Sequence, residues 1–352
     1  MHKLYSRFFV PHLLISPRRW VSSAPQTEQS KFEKIRRKRN EVFAKEKDRQ
    51  LKWIARIEKI DVEVFARTAE TGDSEEKLCT LAMNKDLSTP YNCALHISEH
   101  AARHSALALV DGKPWDMHRP LTANCQLKFL YFTDANPALA NSAYWRACSL
   151  VLGYVLETSF TDSHSVLLHS WPSANIHTGS FVYDVQIDDG LLNWQPTTDD
   201  YRTLSRAALQ NIRTKKAPFE PLTVDIAVAQ KIFEDNPLKL QQLPSIAESS
   251  VVKGQIPLYR VHDHVDISRG PMISNTEQLG FYNVCAFNQY ETKDFGRLCR
   301  VQGVSVPFTQ RVNSWSWEIV CKAAKKPISL PLPSLDRYLI PSSDRIAKAE
   351  RR

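Results

Sequence analysis

LYRVHDHVDISRGPM, residues 258–272, decides how the rest of this chain is read. Polar and apolar residues alternate toward Ile267, and Ser268-Arg269-Gly270-Pro271 then marks a tight corner, so a strand is expected to run into a Gly-Pro turn. Turns at strand ends are places where scaffolds hold nucleophiles and ligands. The two positions suited to such chemistry carry a serine with no obvious base beside it, Ser268, and a thioether, Met272. Alternation along one strand would point His262 and His264 to the same face.

Working toward the N-terminus, Pro218-Phe219-Glu220 leads through Leu222 and Val224 into a helical pattern at residues 226–233. Residues 198–213 read as a helix and residues 179–184 as a strand. A long helical pattern over residues 139–158 carries Tyr144, Trp145, Cys148, Leu152, Val155 and Leu156. Farther upstream, residues 60–65 alternate as a strand and residues 78–83 form a second. Ser88-Thr89-Pro90 supplies a cap and an early proline for a helix to about Arg103. Residues 106–110 are strand-like, Asp111-Gly112 turns the chain, and residues 125–132 form a strong strand. Toward the C-terminus, residues 304–307 close the region, residues 314–324 suggest a helix, and a Pro-rich tail at 327–343 is expected to be extended. Strands and helices in this order predict an α+β fold of two modest domains.

The net charge of +8 is unevenly placed. Residues 1–60 hold 16 lysines and arginines against 6 acidic residues, and the other 292 hold 30 against 32. The first 27 residues carry Lys3, Arg7, Arg18 and Arg19, four serines and no acidic group, a composition expected of a mitochondrial transit peptide. Residues 31–57 lack Gly and Pro and are rich in helix formers. Their cations Lys34, Arg36, Arg37, Lys38 and Arg39 fill five of six successive positions. One reading is a solvated helix with i,i+4 pairs; the sharper one is a basic arm laid against phosphates, with Lys45, Lys52 and Arg56 as further contacts. Trp53 fits either a base or core packing.

No apolar run approaches the roughly 18 residues a membrane span requires. Seven cysteines without a CxxC pair suggest reduced thiols rather than a zinc site or disulfide framework. His96, His100 and His104 recur every four residues, but the acidic or cysteine partner that a catalytic zinc site usually adds is not evident, and a solvated face is expected rather than a metal site.

The ordered motifs resemble those of threonyl-tRNA synthetases. LALVDGKPWDMHRPL (residues 107–121) resembles the ubiquitin-like β-grasp, or TGS, module at the front of those enzymes. YWRACSLVLG (144–153), GSFVYD, PFEPLTVDIAVAQKIFEDNPLKL, LYRVHDHVDISRGP and RVQGVSVP follow in the order of their editing domain. The resemblance covers about residues 78–310. In that family a pair of histidines on the first helix, and a Cys and a His around the Arg-Gly-Pro turn, hydrolyse a mischarged ester. Here the matching positions are Arg146, Leu150, Ser268 and Met272. Arginine stays protonated, leucine has no heteroatom, and methionine is a soft apolar filler. The resemblance therefore implies an editing frame without its chemistry: no enzyme, no cofactor and no small-molecule substrate.

NEVFAKEKDRQL (40–51), NKDLSTPY (84–91) and AYWRAC are similar to a family of mitochondrial large-subunit ribosomal proteins related to these synthetases. That resemblance implies a structural constituent of the mitochondrial ribosome in the matrix, held by large-subunit ribosomal RNA and neighbouring ribosomal proteins. The alternative is a free tRNA-binding or tRNA-editing factor. The expected organisation is a transit peptide (1–25), a basic helical arm (26–59), a TGS-like β-grasp module (60–134), an inactivated editing-like domain (135–312), and a helix with a Pro-rich tail (313–352).

Overall fold

A run of strong helix formers produces α1 (Lys31–Lys52), capped by Ser30, whose hydroxyl accepts from the Phe32 amide. The computed structural model describes residues 30–328 and Pro333, except for residues 68–75, 165, 174, 189–190, 192–193, 215 and 251. The expected transit segment and nearly all of the Pro-rich tail lie outside the described residues. The helix stops at Lys52, with Trp53 as its cap, so Arg56 sits in the irregular segment beyond it rather than on the helix.

Alternation then takes over. Ile60, Val62 and Val64 are buried while Asp61 faces water, the period-two signature of a half-buried strand. The strands are β1 (Lys59–Arg67), β2 (Glu76–Asn84), β3 (Leu107–Val110), β4 (Lys113–Trp115) and β5 (Cys125–Leu130). They form one mixed sheet in the order β2-β1-β5-β3-β4, with β1 and β5 parallel and the other pairs antiparallel. Two helices between the hairpins, α2 (Pro90–Ile97) and α3 (Glu99–His104), cover its apolar face with Cys93, Ala94, Ala101 and Ala102. The single helix expected through Arg103 is broken at Ser98, which is extended and caps α3 through Ala101. His96 therefore lies on a different helix from His100 and His104. The latter two rings stack at 4.1 Å, and His104 leans on Phe308 at 5.4 Å.

The larger body is built around α4 (Ala138–Ser159), which is buried on nearly every side, as an apolar helix inside a domain must be. Gly153 brings it close to the neighbouring sheet: a Cβ there would lie 2.6 Å from the Tyr183 ring. β6 (Val166–Ser170), β7 (Phe181–Ile187), α5 (Thr198–Thr214), β8 (Glu220–Asp225), α6 (Ile226–Ile232) and α7 (Pro237–Glu248) follow. β9 (Gln255–Val261), β10 (His264–Ile267), β11 (Leu279–Thr292), β12 (Gly296–Pro307) and α8 (Ser314–Ala323) complete it. One antiparallel sheet has the order β11-β12-β7-β6 and packs on α4 and α5; a second, β10-β9-β8, packs on α6 and α7. The α+β class expected from the sequence is the one observed.

Two features of the body differ from expectation. Residues 262–263 form the two-residue turn between β9 and β10, with His262 at φ 54°, so His262 and His264 do not share a strand face. The arm does not stand apart either. Phe43 of α1 is fully buried among Leu222, Val224, Ile232 and Phe233, closing the open side of the β8–β10 layer. Burying one phenylalanine in this way contributes roughly 1.5–3 kcal/mol.

Candidate functional site

The Gly-Pro corner lies where α4, α7 and the β10 strand end converge. Gly270 has φ 59°, precedes a cis proline peptide, and a Cβ on it would sit 1.7 Å from the Tyr259 hydroxyl, so only glycine fits. Three groups hold the corner. Arg146 of α4 donates from Nε to the Pro271 carbonyl at 2.8 Å. Asp116, from the smaller sheet domain, accepts the Met272 amide at 2.8 Å and the Tyr259 hydroxyl at 2.9 Å and 3.0 Å. Burial pushes the Asp116 carboxyl above its usual value, opposed by the Met272 amide and Tyr259. Asp116 thus bonds the small domain directly to the corner of the large one.

A cavity of about 330 Å³ opens beside this corner, lined among others by Arg146, Trp171, Lys239, Gln242, Ser268 and Arg269. Of the four positions aligned with an editing site, Arg146 and Ser268 face the cavity. Leu150 and Met272 are both fully buried in the apolar core. The Ser268 hydroxyl accepts the Gly270 amide at 3.2 Å. Neither His262 nor His264 lines the cavity. Burial draws the Arg146 guanidinium below the ordinary arginine range, with Tyr259 and Asp116 opposing, and the side chain braces the turn. Lys239 is almost wholly enclosed and is bound by Asp266 and, at 3.1 Å, by the Tyr183 hydroxyl. Burial lowers its proton affinity and Asp266 works the other way. Nucleophilic chemistry needs a nucleophile with a base in reach, and none of these contacts supplies one for Ser268.

The eight arm residues expected to meet phosphate divide into two groups. Arg39 is 6% exposed and enters the body: Nη1 donates to Glu157 Oε1 at 2.5 Å, Nε to Asp235 Oδ1 at 3.0 Å, and Nη2 also bonds Asp235. Although burial opposes its charge, Glu157 and Asp235 hold the guanidinium above the ordinary arginine range. Glu157 also bonds His264 Nδ1 at 2.7 Å. Burial works against this carboxylate, but Arg39 and His264 bring it down to about 2. Arg36 pairs with Asp263 at 3.0 Å, and Lys38 with Glu234. Arg36 and Arg39 are therefore corrected: they are clasps between arm and body, because the body presents carboxylates where α1 lies. Lys38 is exposed at the rim but engaged in the same way. Lys34, Arg37, Lys45, Lys52 and Arg56 face outward, Arg37 near Glu41 at 3.8 Å.

Sequence reasoning missed the carboxylates that receive this helix, Glu157, Asp235 and Asp263. Their only signal was a cationic block followed by an acid-balanced body. Among the described residues no group of three or more His, Cys, Asp or Glu could hold a metal ion, and no helix is long and apolar enough to cross a membrane.

No protein-family model matches the chain. It is similar to "Large ribosomal subunit protein mL39" of Drosophila melanogaster, with 39% identity over 299 residues, 84% of this chain and 86% of that protein. It is also similar to "Threonine--tRNA ligase 2, cytoplasmic" of Bos taurus, 29% identical over 231 residues, and to "Threonine--tRNA ligase 1, cytoplasmic" of Homo sapiens, 26% identical over 261 residues. These matches span 64% and 72% of this chain but only 29% and 33% of the ligases.

Proposed function

Because the chain belongs to the family of the large ribosomal subunit protein mL39, being 39% identical to the Drosophila member across 84% of its own length, we propose that it serves the same assembly. It is a structural constituent of the mitochondrial large ribosomal subunit, located in the mitochondrial matrix, and not an enzyme. The similarity to threonine--tRNA ligases marks it as a degenerate relative of those proteins. The observation that carries the reading is the near full-length match to a ribosomal component, set beside a cavity whose aligned positions hold Arg146, Leu150, Ser268 and Met272.

At the coarser level its partners are ribosomal RNA and neighbouring ribosomal proteins. At the finer level we assign the phosphate contacts to the outward cations Lys34, Arg37, Lys45, Lys52 and Arg56. Such contacts position a protein on RNA without reading sequence. We also read residues 60–134 as a TGS-like β-grasp module, supported by the β2-β1-β5-β3-β4 order, and residues 135–312 as the editing-like domain. Residues 26–59 are the arm, 313–352 a helix with its tail, and 1–25 a transit peptide.

The test is sedimentation of a tagged chain from lysed mitochondria through a salt-containing gradient. The chain is expected to travel with large-subunit RNA and to leave only when the subunit comes apart. Recovery at the top of the gradient together with free tRNA would overturn the ribosomal reading.

A further inference from the structure

A second cleft lies away from the Gly-Pro corner, between the end of α1, the small sheet domain and β8. Its volume is about 1080 Å³, at the upper limit of the roughly 300–1,000 Å³ typical of small-molecule pockets. It has room for a length of chain.

Its walls carry flat cationic stacks. Trp53 is 72% exposed, with the Arg49 guanidinium 4.4 Å from its ring centre. Trp115 and Arg119 also line the cleft: the Arg119 guanidinium lies 4.5 Å from the Trp115 ring, and the Trp115 indole N–H donates to the Arg119 carbonyl at 3.1 Å. Trp53 thus presents most of its ring to water at the cleft, a flat apolar face open to a stacking partner.

The lining carries four cations, Lys47, Arg56, Lys85 and Arg119, against three carboxylates, Glu58, Asp86 and Glu220, a small excess that suits an anionic occupant. Glu58 pairs with Lys85 at 3.0 Å, and Glu220 with Lys47 at 3.0 Å and Arg260 at 2.7 Å. Asp86 lies beside Lys85 and adds to its hold on a proton. Arg56 and Arg119 line the same cleft and form no ion pair among the described residues. Lys52, exposed on α1 next to Trp53, extends this positive edge onto the arm. Aromatic rings and guanidinium planes stack unpaired bases, while free cations follow the backbone between them. A duplex offers neither open base faces nor a strand thin enough for such a cleft.

We propose that this cleft binds a single-stranded segment of RNA, with bases stacked on Trp53 and on the Trp115–Arg119 pair and phosphates held by Arg56 and Lys52. The inference rests on the ribosomal reading and gives its RNA partner a chemical class: unpaired nucleotides.

Fluorescence anisotropy of the full chain with a short labelled oligouridylate, and with an RNA duplex of equal length, tests it. Single strands are expected to bind more tightly than duplex. Trp53→Ala should weaken the oligouridylate roughly tenfold, in line with the loss of one stacked base, and leave duplex binding unchanged. Arg119→Gln, an exposed substitution that keeps the fold, should act in the same direction. Lys34→Glu and Lys45→Glu, outside the cleft, should weaken both ligands alike. Equal affinity for duplex, or unchanged single-strand binding in both cleft variants, would overturn the proposal while the ribosomal reading stood on its sedimentation. Cleft variants that lose a ribosomal protein but keep their RNA affinity would also overturn it, because the occupant would then be a polypeptide. Normal cleft binding by a chain absent from the large-subunit peak would sink the ribosomal reading alone.

Discussion

Glu157 is the residue on which arm and body depend, since Arg39 and His264 both bond its carboxylate inside the protein. Replacing Arg39 with alanine strands that carboxylate without its main partner, and losing one member of a buried pair costs about 3–5 kcal/mol. Chemical denaturation of the variant should show this loss; a change under 1 kcal/mol would mean the pair is solvated. The pair also sets a pH dependence. Folding depresses Glu157 from near 4.5 to about 2, so its contribution is complete above the ordinary value and is lost as pH falls toward 2. Glu157→Gln should be less stable at neutral pH yet show a shallower fall across that acid window. Gly270→Ala faces a different obstacle, a Cβ 1.7 Å from the Tyr259 hydroxyl in a left-handed conformation, and should cost well over 2 kcal/mol by thermal melting. At this scale the sequence was informative where chemistry had been removed: leucine and methionine cannot act as imidazoles wherever they lie. It was silent on Asp116, because nothing local indicates that a carboxylate in a small domain will cap an amide at Met272, 156 residues away.

Among the elements, α1 shows how tertiary structure overrides composition. In proteins most helical stability comes from tertiary packing rather than from propensity, and Phe43, Arg39 and Arg36 tie this helix to β8, α4 and the β9–β10 turn. Hydrogen exchange on the free protein should therefore find the middle of α1 protected to the same degree as the β8–β9 pair. Exchange at the rate of an unstructured peptide would show that the helix orders only on assembly. The long helices and the first strands were legible because their hydrophobic periods are strong. The β11–β12 hairpin was not, since Asn283, Asn288 and Gln289 interrupt the alternation of β11 and two register shifts break its pairing. Helix α7 was hidden by Pro237 at its first turn and Pro244 inside it, which in sequence look like a linker. The two-residue turn at His262 was missed because a histidine occupies a backbone conformation that favours glycine or asparagine.

For the whole molecule, the basic block of the N-terminal region does two jobs that charge counting cannot separate. One subset neutralises carboxylates of the body and the other faces outward. Charge reversal at Lys34, Lys45 and Lys52 should leave the melting temperature nearly unchanged while the salt concentration that strips the chain from large-subunit particles falls. The corresponding change at Arg36 and Arg39 should lower the melting temperature first. If both sets behaved alike in both assays, the division would be wrong. The clasp also has a consequence for the order in which the protein is made. Arg39 precedes Asp235 by 196 residues, so a chain delivered N-terminus first presents its most cationic helix long before the acidic groups that receive it exist. During that interval the block is an unsheathed polycation, able to hold any nearby polyanion. The clasp can close only once Asp235 has been delivered, and a molecule stalled before that point should be recognisable by an arm that proteases can reach.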